Sequence, residues 1–196
     1  FIILTINLLL ISGCNGKPGE STDLNNNDFG RACWISDTRE WPSDEAEMYG
    51  NLPAPVFRKE FNVHSEIKSA VFHITAAGYY SAFINGERIG KNVLDPAWTN
   101  FSKRIYYSSY DITGQLKQGS NTLGATLGNG FYNTLPMRMW GKYNLREELP
   151  TGKPCFIARL TIEYADGRKE EIITDQSWKH SFGPVIKNSV YLGEVY

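Results

Sequence analysis

The chain has 196 residues, which is enough for one sizeable domain and a short leader. Its net charge is -1 and it has no basic run, so neither nucleic acid nor an anionic membrane surface is indicated as a partner. Aromatic residues make up 13% of the chain, a richness that favours β-sheets and also suits contact with sugar rings.

An apolar leader opens the chain. Residues 1–11 read FIILTINLLLI, which is too short for a membrane span of about 20 residues but fits the apolar region of a signal peptide. The next residues, Ser12-Gly13-Cys14, resemble the cleavage site of a bacterial lipoprotein. We therefore predict a signal over 1–14, a lipid on Cys14, and export to the periplasm or the outer-membrane surface of a bacterium. The alternative is a buried apolar strand or helix with a free Cys14.

A polar stretch follows the leader. Residues 15–30 are rich in Gly, Asn, Ser and Asp, with only Leu24 and Phe29 apolar, so they bury too little surface to offset their ordering entropy. We expect a flexible tether over 15–33. The remaining cysteines, Cys33 and Cys155, are compatible with a disulfide in an exported protein and equally with two free thiols.

Short β-strands separated by turns dominate the rest of the chain. Residues 156–164 alternate between apolar and polar, as a half-buried antiparallel strand does. Asn85-Gly86 is a strong hairpin signal. The predicted strands cover 56–63, 69–76, 79–84, 88–89, 104–112, 121–127, 156–164, 170–174 and 178–182.

Helical signals are weak in this region, with a single turn predicted over 112–116. Residues 132–154 form a long insert without strand patterning, and such loops are often functional. The fold class predicted for 34–196 is all-β: a jelly-roll-like β-sandwich of the galactose-binding or carbohydrate-binding-module type.

Seven segments, in order, resemble the N-terminal domain of bacterial α-L-rhamnosidases, which are glycoside hydrolases. They are PAPVFRKEFNV, ITAAGYYSAFINGERIG, VLDPAWTNFSKRIYYSSYDIT, NTLGATLGNGFYN, IARLTIEYADGRKE, DQSWK and GPVIKNSVYLGEVY. The DPAWT segment and the GEVY ending favour this family over the sugar-binding sandwich of β-galactosidase-type enzymes.

The resemblance implies an accessory domain without catalytic residues, because the carboxylate pair of such enzymes lies in an α/α barrel further along the chain. The residues agree with this. Glu170 and Glu171 are neighbours on a strand and point to opposite faces, whereas a glycosidase needs two converging acids. Glu147 and Glu148 lie in a loop, where geometry does not decide.

The resemblance also implies sugar binding, in some members through calcium near the turn after the Asn-Gly hairpin. Here Asn92 offers an amide oxygen, but Lys91 stands where a carboxylate would be wanted, so no cofactor is predicted and calcium is a less favoured alternative. The residues predicted to contact carbohydrate are Asn92, Trp98, Tyr132, Asn133 and Trp140.

Two functions remain open from the sequence. The first is an accessory and substrate-recognition domain of an exported α-L-rhamnosidase, with rhamnose-containing glycans and a downstream catalytic domain as its partners. The second is a stand-alone carbohydrate-binding lipoprotein. A purely architectural role, packing against the catalytic barrel, is also compatible with the aromatic loops.

Overall fold

The computed structural model describes residues 2–4 and 28–196 of the chain. The predicted lipidation site Cys14, most of the predicted signal and the tether up to residue 27 lie outside the described residues. Residues 2–4 form a short strand, β1, whose backbone pairs with the strand at Ile105–Asp111.

β-Strands are the main regular element of the described residues. The longer strands are β2 (Pro55–Val63), β3 (Ile67–Ala77), β4 (Tyr79–Ile84), β6 (Ile105–Asp111), β7 (Gly119–Gly128), β10 (Cys155–Tyr164) and β11 (Lys169–Ile173). The shorter strands are β1 (Ile2–Leu4), β5 (Glu87–Arg88), β8 (Arg138–Met139), β9 (Tyr143–Asn144), β12 (Lys179–Phe182), β13 (Lys187–Ser189) and β14 (Gly193–Val195). The helical pieces are α1 (Glu45–Met48), a 3-10 turn (Thr113–Gln115) and α2 (Leu145–Glu148).

Two antiparallel five-stranded sheets form the body of the described region. One has the strand order β1-β6-β3-β10-β11, and the other β12-β2-β7-β4-β5. Two small hairpins, β8-β9 and β13-β14, lie outside these sheets. The predicted β-sandwich is therefore confirmed. Strands that follow one another in the chain often belong to different sheets, as is typical of jelly-roll architectures.

The core lies between the inward faces of the two sheets. Phe57 on β2 meets Phe156 on β10 with ring centroids 5.0 Å apart, and Trp178 packs edge-on against Phe156. Every second residue of β10 from Phe156 to Tyr164 is buried, as its alternation predicts. Burial of apolar side chains at about 25 cal/mol per Å² is the main stabilisation of such a sandwich.

The predicted strands agree with the observed ones to within a few residues, but the insert differs from its prediction. Residues 132–154 contain the hairpin β8-β9 and the helix α2, where only loop was expected. Two-residue strands are too short to show a repeating pattern, and the turn between them relies on Gly141 at φ +77°.

The segment before the sandwich contacts it closely. Residues 28–33, which the sequence assigns to the tether, lie on the outer side of the β6-β3-β10 sheet, where Phe29 is buried against Tyr107. The Tyr107 hydroxyl donates to the Asp28 carboxylate. No disulfide joins Cys33 to Cys155, so of the two alternatives for this pair the structure has the unlinked one.

Among the described residues, no helix has the length and apolar character needed to cross a membrane.

Candidate functional site

A buried carboxylate organises one end of the sandwich. Oδ2 of Asp95 accepts hydrogen bonds from the hydroxyls of Tyr80 (2.6 Å), Ser108 (2.9 Å) and Tyr110 (2.9 Å), and from the amide of Asn92 (3.3 Å). The backbone carbonyl of Asp95 also accepts from Tyr80 N at 2.8 Å. These five residues, the Asp95 cluster, tie the loop after the Asn-Gly hairpin to a strand of each sheet.

The Asp95 cluster affects the acidity of its tyrosines. Burial, together with the hydrogen bond donated to Asp95, raises the pKa of Tyr80 far above its ordinary value. Burial likewise raises the pKa of Tyr110. Both hydroxyls therefore stay protonated and act as donors at any physiological pH, which satisfies the carboxylate without a cation.

The loop between Arg88 and Trp98 is shaped by two backbone positions. Gly90 has φ +75°, and a Cβ there would lie 2.4 Å from the ring of Tyr110. Leu94 also has a positive φ, 56°, and directs its side chain outward, where it is 68% exposed. An apolar side chain held in solvent at a strained backbone position commonly marks a contact surface.

A cavity of about 550 Å³ opens beside this loop, and we call it the hairpin groove. Its lining comes from the loop, from the ends of β4 and β7, and from the hairpin β13-β14, and includes Arg88, Val93, Leu94, Phe131, Asn188 and Glu194. Most of its accessible lining is apolar, and the lining also includes one cation, Arg88, and one carboxylate, Glu194. Such a cavity has the size and polarity of a small-ligand site.

An aromatic row lies next to the hairpin groove. The ring of Trp98 packs on Phe131 at 5.2 Å, and Phe131 contacts Tyr191 edge-on at 6.1 Å. Trp98 remains 52% exposed and Tyr191 44% exposed. Exposed aromatic faces of this kind can stack against the C–H faces of a sugar ring.

The structure brings Asn92 and Trp98 onto the same loop and buries two of the other predicted residues. Tyr132 is 3% exposed and packs on Phe101, and Asn133 is 6% exposed. The Asn133 amide donates to Asn129, and its oxygen accepts from Arg146. Tyr132 and Asn133 therefore expose little surface, although Asn133 does line a second cavity, and their predicted sugar contacts stay predictions.

Trp140 lies elsewhere, at the turn of the β8-β9 hairpin. It is 82% exposed, has φ +49°, and makes no ring-stacking contact with the described residues. It is therefore separate in the fold from the aromatic row of Trp98, and its predicted sugar contact stays a prediction.

The side chains near Asn92 do not form the oxygen-rich set that calcium takes. The Asn92 amide is turned toward Asp95, whose Oδ2 already accepts four hydrogen bonds, and Lys91 is exposed next to it. Within residues 28–196 no group of three or more His, Cys, Asp or Glu side chains converges on one point.

Three of the four residues in the acidic pairs considered from the sequence are engaged in structural contacts. Glu171 accepts from Arg159 on one face of the sheet, and Glu170 accepts from the hydroxyl of the core residue Tyr164 on the other, as the strand geometry predicts. Glu147 accepts from the amide of Asn144, which precedes α2. These contacts do not direct two carboxylates at one glycosidic bond.

Sequence reasoning missed several residues of the groove. Phe131 had a signal, since the Gly128-Asn129-Gly130 bend directs it and Gly130 has φ +54°. Tyr191 and Arg88 had none, because the groove forms only where the loop after β5, the ends of β4 and β7 and the distant hairpin β13-β14 meet. Asp95 is not among the residues predicted from the sequence to form the site, whereas it is the acceptor that holds the loop.

Comparisons with known proteins agree with this architecture. The family described as α-L-rhamnosidase N-terminal domain matches residues 65–196. An α-L-rhamnosidase of Formosa agariphila is 36% identical over 88% of this chain and 19% of its own length. One from Streptomyces avermitilis is 34% identical over 82% of this chain and 16% of its own length.

Solved structures of such enzymes contain the same body. The native α-L-rhamnosidase from Aspergillus terreus superposes with a TM-score of 0.76 at 34% identity, covering 87% of this chain and 19% of that one. The Streptomyces avermitilis enzyme, solved in complex with L-rhamnose, gives a TM-score of 0.65 at 33% identity, over 74% and 14% of the two chains. The chain thus spans less than a fifth of the length of these relatives. It belongs to the α-L-rhamnosidase N-terminal domain family.

Proposed function

We propose that this chain is the non-catalytic accessory domain of an exported α-L-rhamnosidase, an enzyme that hydrolyses terminal α-L-rhamnose. The observation that carries the proposal is the match to α-L-rhamnosidases at 36% and 34% identity over most of the chain. Because the chain corresponds to a small N-terminal part of those proteins, its role is to assist a catalytic domain that follows it.

The accessory role is recognition of rhamnose in the hairpin groove. L-Rhamnose carries a methyl group at C6, which suits the apolar wall formed by Val93, Leu94 and Phe131. Its ring hydroxyls need polar partners, which Arg88 and Glu194 supply on the same lining. The exposed ring of Trp98 at the rim offers a stacking surface to the next sugar of the glycan.

Binding to the groove is tested by titrating the chain with L-rhamnose in the presence of calcium and of a chelator, using calorimetry or NMR. We expect saturable binding with a dissociation constant on the order of 1 mM in both conditions, since Asp95 Oδ2 beside Asn92 already accepts four hydrogen bonds. L-Mannose, which has a hydroxyl where rhamnose has the C6 methyl hydrogen, is the matched control and should bind less tightly. The absence of saturable binding would refute this role.

The non-catalytic part of the proposal has its own test. The purified chain is incubated with an aryl α-L-rhamnoside and release of the phenol is followed against a blank. No turnover is expected, because Glu170 and Glu171 lie on opposite faces of the sheet and Glu147 accepts from Asn144, so these carboxylates do not converge on one glycosidic bond. Saturable hydrolysis that survives repurification would overturn the assignment.

We also propose that the chain is delivered to the cell envelope by a lipid on Cys14, on the strength of the apolar run and the Ser12-Gly13-Cys14 sequence. Expression in a bacterium followed by fractionation is the test. The unchanged chain should appear in the membrane fraction, and Cys14→Ser should release it or leave the precursor unprocessed. An unchanged distribution of Cys14→Ser would contradict the anchor.

A further inference from the structure

A second cavity, of about 240 Å³, lies between the insert, the loop around α1 and the hairpin β13-β14. We call it the insert pocket, and its wall includes Trp41, Tyr49, Leu135, Arg146, Lys187 and Leu192. The Tyr49 hydroxyl donates to the carbonyl of Pro136 at 3.1 Å, so the α1 loop and the insert are joined at this wall. The pocket is therefore formed by fixed elements, although its members come from three distant parts of the chain.

The charged residues that line the insert pocket are all cationic. Its lining holds two cations, Arg146 and Lys187, and no Asp or Glu. Neither cation has a carboxylate within salt-bridge distance among residues 28–196. Unpaired cations beside apolar surface raise the local concentration of anions and favour an anionic ligand.

The guanidinium of Arg146 is held in place by hydrogen bonds from only one of its nitrogens. Its Nη1 donates to Asn133 Oδ1 at 2.7 Å and to the carbonyl of Thr134 at 2.9 Å. These two bonds fix the plane of the guanidinium, and the other nitrogens have no acceptor among the described residues. Burial lowers the pKa of Arg146, which means that its cationic form lacks solvation that an anion would restore.

The remaining wall is apolar and has the dimensions of a single sugar ring. Tyr49 is 41% exposed and Leu192 is 66% exposed, so both present surface to the cavity mouth. Ser189 and Thr134 add hydroxyls to the lining. An apolar wall for C–H groups, hydroxyls for ring oxygens and a fixed guanidinium for a carboxylate are the parts of a site for an acidic sugar.

We propose that the insert pocket binds a hexuronate, with its carboxylate at Arg146 and Lys187 and its pyranose ring against the Tyr49, Leu135 and Leu192 wall. This site would give the domain a second specificity, for the acidic residues of a glycan. It does not depend on rhamnose binding in the hairpin groove, since the lining of that groove suits a neutral sugar and the lining of the insert pocket suits an anion.

The experiment is a titration of the ¹⁵N-labelled full chain with sodium D-glucuronate and sodium D-galacturonate at constant ionic strength. Trp41 lines the pocket, and its buried indole N–H has no acceptor among the described residues, so its resonance is a local reporter. Trp41→Phe assigns that resonance, and the exposed Trp140 indole is the internal control. We expect a saturable shift of the Trp41 signal alone, with a dissociation constant on the order of 1 mM.

Ligand controls separate the sugar from its charge. D-Glucose has the same ring without the carboxylate, and sodium acetate has the carboxylate without the ring. Neither should give a saturable shift at the concentrations at which the uronates do. A response to glucose or acetate equal to that of the uronates would overturn the proposal, as would no saturable response to either uronate.

Variants locate the site. Arg146→Gln removes the cation and should weaken uronate binding about tenfold, the usual loss for one charge-assisted hydrogen bond. Because Arg146 also holds Asn133, Lys187→Gln is the second variant, and it removes a cation that makes no salt bridge in the described residues. It should weaken binding about threefold without changing the thermal midpoint. Lys68→Gln, on an outer strand position, is the charge-matched control, and equal weakening by it would place binding elsewhere.

Discussion

Tyr80 and Asp95 are joined twice, by a side-chain hydrogen bond of 2.6 Å from the hydroxyl to Oδ2 and by a backbone hydrogen bond of 2.8 Å from N to O. Tyr80 belongs to β4, and Asp95 to the loop that borders the hairpin groove. The pair therefore fixes the position of the loop relative to β4. A substitution at either residue alters the shape of the hairpin groove.

Asp95→Asn should destabilise the protein by about 2–3 kcal/mol. Three hydroxyl donors and one amide converge on a carboxylate oxygen, and an uncharged amide accepts these hydrogen bonds less strongly and adds a donor of its own. Chemical denaturation followed by tryptophan fluorescence measures the loss. Glu60→Gln, an exposed change of the same chemistry on β2, should leave the midpoint unchanged, and equal effects of the two would show that the Asp95 cluster adds nothing to stability.

Gly90→Ala should lower the free energy of unfolding more than Gly119→Ala does, although both glycines have a positive φ. A Cβ at residue 90 would meet the Tyr110 ring at 2.4 Å, whereas Gly119, with a similar φ of +86°, has open space. We expect about 1 kcal/mol for Gly119→Ala from backbone strain alone and about 3 kcal/mol or more for Gly90→Ala. Thermal unfolding of both variants tests this, and equal costs would mean that Tyr110 moves aside freely.

Trp98→Ala should weaken binding of a rhamnose-containing oligosaccharide about fivefold while leaving free rhamnose less affected. The reason is that Trp98 lies at the rim of the groove and offers its exposed face to the neighbouring sugar, a contact worth about 1 kcal/mol. Calorimetric titration of both ligands is the measurement. Trp140→Ala is the matched control at an exposed tryptophan outside the groove, and a larger loss with it would transfer the site to the β8-β9 hairpin.

Cys155 should resist alkylation in the folded protein. Burial raises the pKa of its thiol to about 12, so the reactive thiolate is scarce at pH 8–9, and the side chain is 1% exposed. In a Cys33→Ser variant, mass spectrometry after iodoacetamide should show modification of Cys155 only in denaturant. Rapid modification under native conditions would contradict the buried placement.

The same thiol makes stability depend on alkaline pH. The unfolded thiol ionises near pH 9, while the folded one stays protonated to about pH 12, so the unfolded state releases its proton first. The free energy of unfolding should therefore fall as pH rises through this window. Cys155→Ala should show a smaller fall between pH 9 and 10, and parallel curves for the two proteins would rule out this contribution.

The sequence allowed the strands to be predicted because their signals are local. Alternation in β10 and the Asn85-Gly86 turn depend on neighbours a few residues apart, and both match the structure. The Asp95 cluster could not be predicted, because Tyr80, Ser108 and Tyr110 reach the carboxylate only after two sheets have stacked. The burial of Asn133 could not be predicted for the same reason: its partner Arg146 lies across the insert, and a polar side chain gives no sign of burial from sequence.

The hairpin β13-β14 forms part of the wall of both cavities, since Asn188, Ser189 and Gly193 line each of them. It is tied to the body by Asn188, whose side-chain oxygen accepts from Asn129 N at 2.6 Å and whose carbonyl accepts from the Asn129 amide at 2.9 Å. An occupant that shifts this shared wall changes the affinity of the other cavity, and by thermodynamic reciprocity the change is the same factor in either order of binding. Binding of a neutral sugar in one cavity and of an acidic sugar in the other would then be coupled when both belong to one glycan.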